Sequence, residues 1–192
     1  LSGTLGQHNV LNTLAAVAVG MELNLDFDTV AASLKNFGGV QRRFEVVEKS
    51  DELILVDDYG HHPAEIRATL KTAKEAWPDR RLIVVFQPHR YSRTQSLMKE
   101  FWSAFNDADH LLVTDIYSAG ELPIEGVDAR QIAEGVREFG HKEVEHIGNN
   151  QVSDRISRLV KPGDAVMTLG AGDVWKLGRN LLSTLSRNKN DL

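Results

Sequence analysis

Short apolar runs alternate with amphipathic segments through most of this 192-residue sequence, and few architectures accept that alternation. The runs at 53–58, 81–86, 110–116, 144–147 and 165–169 hold four to seven residues each, rich in Val, Ile, Leu and Phe. Such lengths suit buried strands better than helices. Between and after them, 63–77, 94–106, 129–138, 152–160 and 174–186 carry apolar residues at helical spacing, as Ile66, Leu70 and Ala73 do. Strands apolar on both faces need a helix layer on each, so an α/β fold with a mostly parallel sheet is predicted. A β-rich segment at 44–49, joined to 53–58 by Ser50-Asp51-Glu52, adds an N-terminal β-hairpin.

Residues 1–37 read differently, as two helices. Asn9, Leu11, Leu14, Ala15, Ala18 and Val19 form a stripe, Asp28 and Thr29 are placed to cap a helix over 30–37, and Gly38-Gly39 ends the pattern. Two short helices bury little by themselves, so this pair is expected to pack on a neighbour. The α/β domain then covers 38–187, and the polar end, from Ser186 on with 188–192 beyond the domain, is expected to be disordered. Leu1 opens neither a signal peptide nor a normal translation start, so the chain is expected to be part of something longer.

A net charge of -5 offers no broad basic surface, which argues against nucleic acid as a partner. No apolar run approaches the ~20 residues of a membrane span. With no cysteine there are no disulfides or thiolate metal sites, which fits a cytoplasmic setting.

Chemistry concentrates after two strands. Asp57-Asp58-Tyr59-Gly60-His61-His62-Pro63 follows the first, and Gln87-Pro88-His89-Arg90-Tyr91-Ser92-Arg93-Thr94 the second. Ligands of open α/β sheets bind beyond the carboxyl ends of strands, and strands consecutive in sequence are expected to lie side by side. Adjacent carboxylates repel and persist where a cation, an arginine or a ribose hydroxyl is held, although an arbitrary acidic pair is more often a solvated strand end. Side chains alternate along a strand, so one of the two should face the crevice. Adjacent histidines in a loop point apart, which suits hydrogen bonding or proton handling better than metal ligation. Arg90 and Arg93 stand at an expected helix start, where guanidinium groups and backbone N–H groups together favour a small anion. Gly170-Ala171-Gly172-Asp173 lacks a full dinucleotide fingerprint, and tight strand-to-helix packing explains it at least as well as phosphate binding. No Gly-x-x-x-x-Gly-Lys-Ser/Thr occurs anywhere in the chain. A phospho-receiver would share the β/α order and an aspartate such as Asp115, but it needs a lysine where this chain reads Thr168-Leu169-Gly170.

Taken together, Gly6-Gln7-His8-Asn9-Val10-Leu11-Asn12, Arg42-Arg43-Phe44, the two long clusters, Asp115-Ile116-Tyr117-Ser118-Ala119-Gly120-Glu121 and Gly170-Ala171-Gly172-Asp173 resemble the Mur ligases of bacterial cell-wall synthesis. The resemblance covers nearly the whole chain in order. It implies a three-domain, ATP- and Mg2+-dependent amide-forming enzyme whose last domain is a dinucleotide-fold-like (Rossmann-like) module. Residues 1–37 would close the central ATPase domain, and the P-loop and magnesium ligands would lie upstream of Leu1. The implied reaction phosphorylates the carboxylate of UDP-N-acetylmuramate with ATP, after which L-alanine attacks. By the family pattern Asn9 and Asn12 contact adenine, Arg43 reaches the phosphates, and Asp58 holds ribose hydroxyls. Tyr59, His61, Arg90 and Arg93 would form the amino-acid pocket, with Arg43 and His61 nearest the chemistry. A branch that attaches a whole tripeptide is the nearest alternative, and the Gln87–Thr94 segment resembles the alanine-adding branch instead.

Overall fold

The structure, a computed structural model, describes residues 6–190. In chain order it contains α1 (Gln7–Glu22), α2 (Phe27–Asn36), β1 (Glu45–Lys49), β2 (Leu53–Asp58), α3 (Pro63–Ala76), β3 (Leu82–Phe86) and α4 (Tyr91–Ser96). There follow α5 (Met98–Trp102), β4 (His110–Val113), α6 (Ala129–Glu138), β5 (Val144–His146), α7 (Val152–Leu159), β6 (Asp164–Leu169) and α8 (Trp175–Asn190). One six-stranded sheet runs in the order β1-β2-β6-β3-β4-β5, with β1 antiparallel to β2 and the other neighbours parallel.

β2, β3, β4 and β6 are buried along their whole length. Their alternate residues feed two cores. Ile54, Val56, Val84, Phe86, Leu111 and Val113 face α3, α5 and α6, where Ile66, Leu70, Phe101 and Ile132 complete one cluster. Leu55, Ile83, Val85, Leu112 and Val166 point the other way, onto Val152 and Ile156 of α7 and Leu181 of α8. The period of two along each strand therefore delivers apolar side chains to both helix layers, as the sequence predicts.

Local chemistry explains several boundaries. α3 begins at Pro63 because His62 Nδ1 accepts from Ala64 N at 3.3 Å while Glu65 reaches back to His62 N at 3.2 Å. α2 starts three residues earlier than expected, since Asp26, not Asp28, is its cap: the carboxylate accepts from Thr29 N (2.8 Å) and Thr29 Oγ1 (2.6 Å). The helix expected over 94–106 is instead α4 and α5, separated at Leu97, and Phe101 and Phe105 both pack on Phe86. α8 runs to Asn190 and so takes in most of the polar end that was expected to be disordered from Ser186 on; 191–192 lie outside the described residues.

The expectation that β2 and β3 are neighbours is overturned. β6 lies between them, paired with both. All three strands are apolar on both faces, so local pattern could not rank them; the crossover that returns the chain to the sheet centre decides the order. α1 and α2 remain peripheral, with Leu11, Leu14 and Val19 59–60% exposed and Val30 the buried contact beneath Gly20.

Candidate functional site at the carboxyl-terminal edge of the sheet

β2, β6 and β3 end level with one another, Asp58 beside Leu169 and Phe86 beside Leu169. The loop after β6 therefore separates the two polar clusters, yet they still meet, because the rings of His61 and His89 lie 5.8 Å apart. Buried Gln87 closes the gap beneath them. Its Nε2 donates to Asp173 Oδ1 (3.0 Å), and its Oε1 accepts from Asp173 N (3.0 Å) and Val174 N (3.2 Å). Two N–H groups before α8 are thereby taken, and a Cβ on Gly172 would lie 2.3 Å from Gln87 Oε1 and 2.7 Å from Tyr117 Cγ. The glycine-rich loop is thus a packing device rather than a phosphate cradle.

The acidic pair divides as strand alternation requires. Asp57 accepts from Arg42 Nε at 2.9 Å and Thr168 Oγ1 at 2.7 Å, and Arg42 continues to the carbonyls of Gly170 and Gly172. Asp58, on the opposite face, accepts from Phe44 N (2.7 Å), Gly60 N (2.7 Å) and Thr69 Oγ1 (3.3 Å). Burial raises the pKa of both carboxyls above the ordinary range, outweighing these hydrogen bonds. Asp58 is only 4% exposed, so its main work is internal: it fastens the turn that presents Arg43.

A cleft of about 740 Å³ opens between the helical pair and the sheet domain. Asn9, Asn12, Arg43 and Asp58, far apart in sequence, all line it. Leu34, Phe37, Val40 and Ala68 supply apolar walls suited to a flat ring, and the asparagine amides supply directional polarity. Arg43 is exposed, its guanidinium lies 5.4 Å from the centre of the Tyr59 ring, and among the described residues no carboxylate is within ion-pair distance of it.

Beyond Tyr59 a series of side-chain contacts continues along the sheet edge. Tyr59 meets His61 edge-on at 5.4 Å, and His61 adjoins His89. His61 Nδ1 lies 3.0 Å from the Tyr59 carbonyl, which only accepts, so the neutral ring carries its proton there and leaves Nε2 as an acceptor. Glu65 accepts from the N–H groups of His61 (3.0 Å) and His62 (3.2 Å); despite burial, which acts the other way, these hold its carboxyl below the usual range. His62 is spent on capping α3, so the adjacent histidines do separate in role.

Arg93 donates to His89 Nδ1 at 3.0 Å. Arg90 caps α4 in a left-handed conformation (φ 71°), with Nη1 3.8 Å from Glu121 Oε1. The anion expected at this helix start is supplied by the protein: Glu121 accepts from Ser92 Oγ (2.7 Å) and Ser92 N (3.0 Å), and these bonds lower its pKa. Tyr59, His61, Arg90 and Arg93 are thus brought to one edge, with His89, Tyr117 and Glu121 as additional members. Their signal in the sequence was their place in the segments following β3 and β4. Among the described residues, no group of three His, Asp or Glu side chains could hold a metal ion.

Residues 42–172 match the Mur ligase glutamate ligase domain. The chain belongs to the Mur ligase family. A curated relative, the UDP-N-acetylmuramate–L-alanine ligase of Geotalea uraniireducens, is 55% identical over 94% of the chain and 39% of its own length. The chain therefore spans about two-fifths of such Mur ligases. The solved UDP-N-acetylmuramate–alanine ligase of Thermotoga maritima superposes with a TM-score of 0.80 at 29% identity, over 97% of this chain and 40% of that one. A murein peptide ligase from Psychrobacter arcticus shares the fold at 24% identity and a TM-score of 0.69, over 96% and 38% of the two chains. The mostly parallel Mur ligase domain is that seen here, and the receiver alternative falls with this assignment.

Proposed function

We propose that this chain is the carboxyl-terminal part of a cytoplasmic ligase that joins L-alanine to UDP-N-acetylmuramate at the expense of ATP. The observation that carries the reading is continuity: Arg43, Tyr59, His61, His89 and Arg93 form one unbroken series of contacts from the cleft along the sheet edge. A nucleotide in the cleft and an amino acid beside Arg93 would then face each other across Tyr59. Asn9 and Asn12 take the adenine, and Arg43 offsets charge on the phosphoryl group during transfer. Asp58 acts chiefly by holding Arg43 in place and contributes to ribose binding at the cleft wall.

Chemically, a carboxylate resists attack by an amine until it becomes an acyl phosphate, whose phosphate then departs. His61, with Nε2 unprotonated, is placed to manage the amine's proton. Arg93, assisted by Arg90, holds the alanine carboxylate, and Tyr59 closes the pocket. Mg2+ and most of the UDP-sugar contacts belong to the remainder of the full-length protein in this reading. Purified full-length protein should form amide with L-alanine in an ATP-dependent manner, while this chain alone should fold and show no turnover. Use of the tripeptide only, with L-alanine inert, would transfer the chain to the peptide-adding branch.

A further inference from the structure

Arg90 and Arg93 differ in what supports them. Arg90 faces the carboxylate of Glu121. Arg93 has no carboxylate within ion-pair distance among the described residues; its Nη1 donates to His89 Nδ1 at 3.0 Å and approaches His89 O at 3.4 Å. A guanidinium has donors only, so Nδ1 is the acceptor and the proton of the neutral ring sits on Nε2. The imidazole is held on both sides. Tyr117 stacks on it at 5.7 Å and 11°, and His61 lies at 5.8 Å. Tyr117 is itself anchored, because its N–H donates to Pro88 O and its carbonyl accepts from Arg90 N, each at 2.8 Å.

We propose that His89 is a positioning residue: its Nδ1 aims the Arg93 guanidinium at the carboxylate of the incoming amino acid without neutralising it. The inference rests on the amino-acid pocket described under the proposed function. A glutamate in place of His89 would orient Arg93 as well but cancel its charge, leaving little attraction for a second carboxylate. Removing the support altogether would leave a long, mobile side chain to be ordered at each binding event. A neutral acceptor satisfies both requirements. Arg93, His61, Arg90, Glu121 and the phenol of Tyr117 are the charged or titratable groups facing His89. Burial first, then the charge of Arg93, of His61 whenever its ring is protonated, and of Arg90, push its pKa down to about 4, with Glu121 acting oppositely. The ring thus keeps its acceptor throughout the neutral range.

Two measurements test this. In this chain, ¹⁵N chemical shifts should report the Nε2–H tautomer of His89 through neutral pH, and Arg93→Ala should raise its titration towards the ordinary value. An Nδ1–H tautomer, or an unchanged titration in the variant, overturns the contact. In the full-length ligase, His89→Ala and His89→Phe should raise KM for L-alanine about ten-fold or more, with KM for ATP within about two-fold. His89→Asn, whose amide oxygen stands the same number of bonds from the main chain as Nδ1, should stay within about three-fold of the unaltered enzyme. A purely stacking role predicts the reverse, with His89→Phe normal and His89→Asn impaired, and that result overturns the proposal. Thermal unfolding of each variant in this chain identifies any that fails to fold, and the Asn–Phe contrast survives the loss of His89→Ala. If the full-length protein ignores L-alanine, the functional reading falls, while the tautomer still decides the Arg93–His89 contact.

Discussion

The two edges of the sheet treat charge differently, although both hold pairs, Arg42 with Asp57 and Arg90 with Glu121 at the carboxyl-terminal one. At the amino-terminal edge, ions are closed off in pairs. Arg81 grips Asp164 through Nε (3.0 Å) and Nη2 (2.6 Å) and also donates to Leu159 O, and Arg155 and His110 converge on Glu145. At the carboxyl-terminal edge, buried carboxylates are consumed by the backbone and by Arg42, while Arg43 and Arg93 point past them without ion pairs among the described residues. A satisfied pair is architecture. A cation held in place with its charge uncompensated is prepared for something that arrives from outside, which is why the second edge reads as the site.

That contrast can be broken by mutation. The largest effect is expected at Arg43: in the full-length ligase Arg43→Ala should lower kcat by roughly 10²-fold, as loss of a charge-stabilising group does, with little change in unfolding of this chain. Arg93→Ala should raise KM for L-alanine about ten-fold or more and move KM for ATP much less. Equal effects on the two substrates would mean that the amino-acid pocket and the cleft have been wrongly separated. Arg81→Ala, at the opposite edge, should leave both KM values alone and destabilise the chain by about 2 kcal/mol in a urea titration, because Asp164 loses its partner. Asp58→Asn should cost about 1–3 kcal/mol, since an amide cannot accept at both positions from Phe44 N and Gly60 N.

The smallest effect is a pH slope. Burial, with the neighbouring guanidinium groups, pushes the His89 pKa from an ordinary 6.5 down to about 4 in the folded chain. The folded state therefore binds fewer protons than the unfolded state in between, so its contribution to stability is intact above that window and is lost as pH falls through it. Asp57 and Asp58, with raised pKa values, act oppositely, since the folded state holds their protons more tightly. Urea midpoints of the unaltered chain should therefore fall more steeply over this range than those of His89→Asn. Parallel slopes would mean that His89 titrates normally.

Much of this was legible beforehand. β2 occurs at 53–58 as read from its apolar run, and the helix beginning at Pro63 is real; of the eight residues assigned to nucleotide or amino acid, Asn9, Asn12, Arg43 and Asp58 line the cleft, and Tyr59, His61, Arg90 and Arg93 stand along the adjoining sheet edge. What escaped was whatever depended on a distant partner. Asp58 looked like a ligand group and is mostly a fastener, because the donors that occupy it come from Phe44, Gly60 and Thr69. The start of α4 looked open to an anion, and Glu121 from a loop after β4 fills it.

The division has a physical basis. Hydrophobic period, turn residues and caps act over a few positions, so the sequence alone determined where strands and helices lie and that polar clusters would follow the strands. Strand order and hydrogen-bond ownership are settled by contacts between segments far apart in the chain. Only the tertiary structure inserted β6 between β2 and β3, bound Gln87 to the loop at Asp173, and turned His89 towards Arg93 under the ring of Tyr117. Those contacts compete for the same few donors and acceptors, and their outcome exists only once the chain has packed.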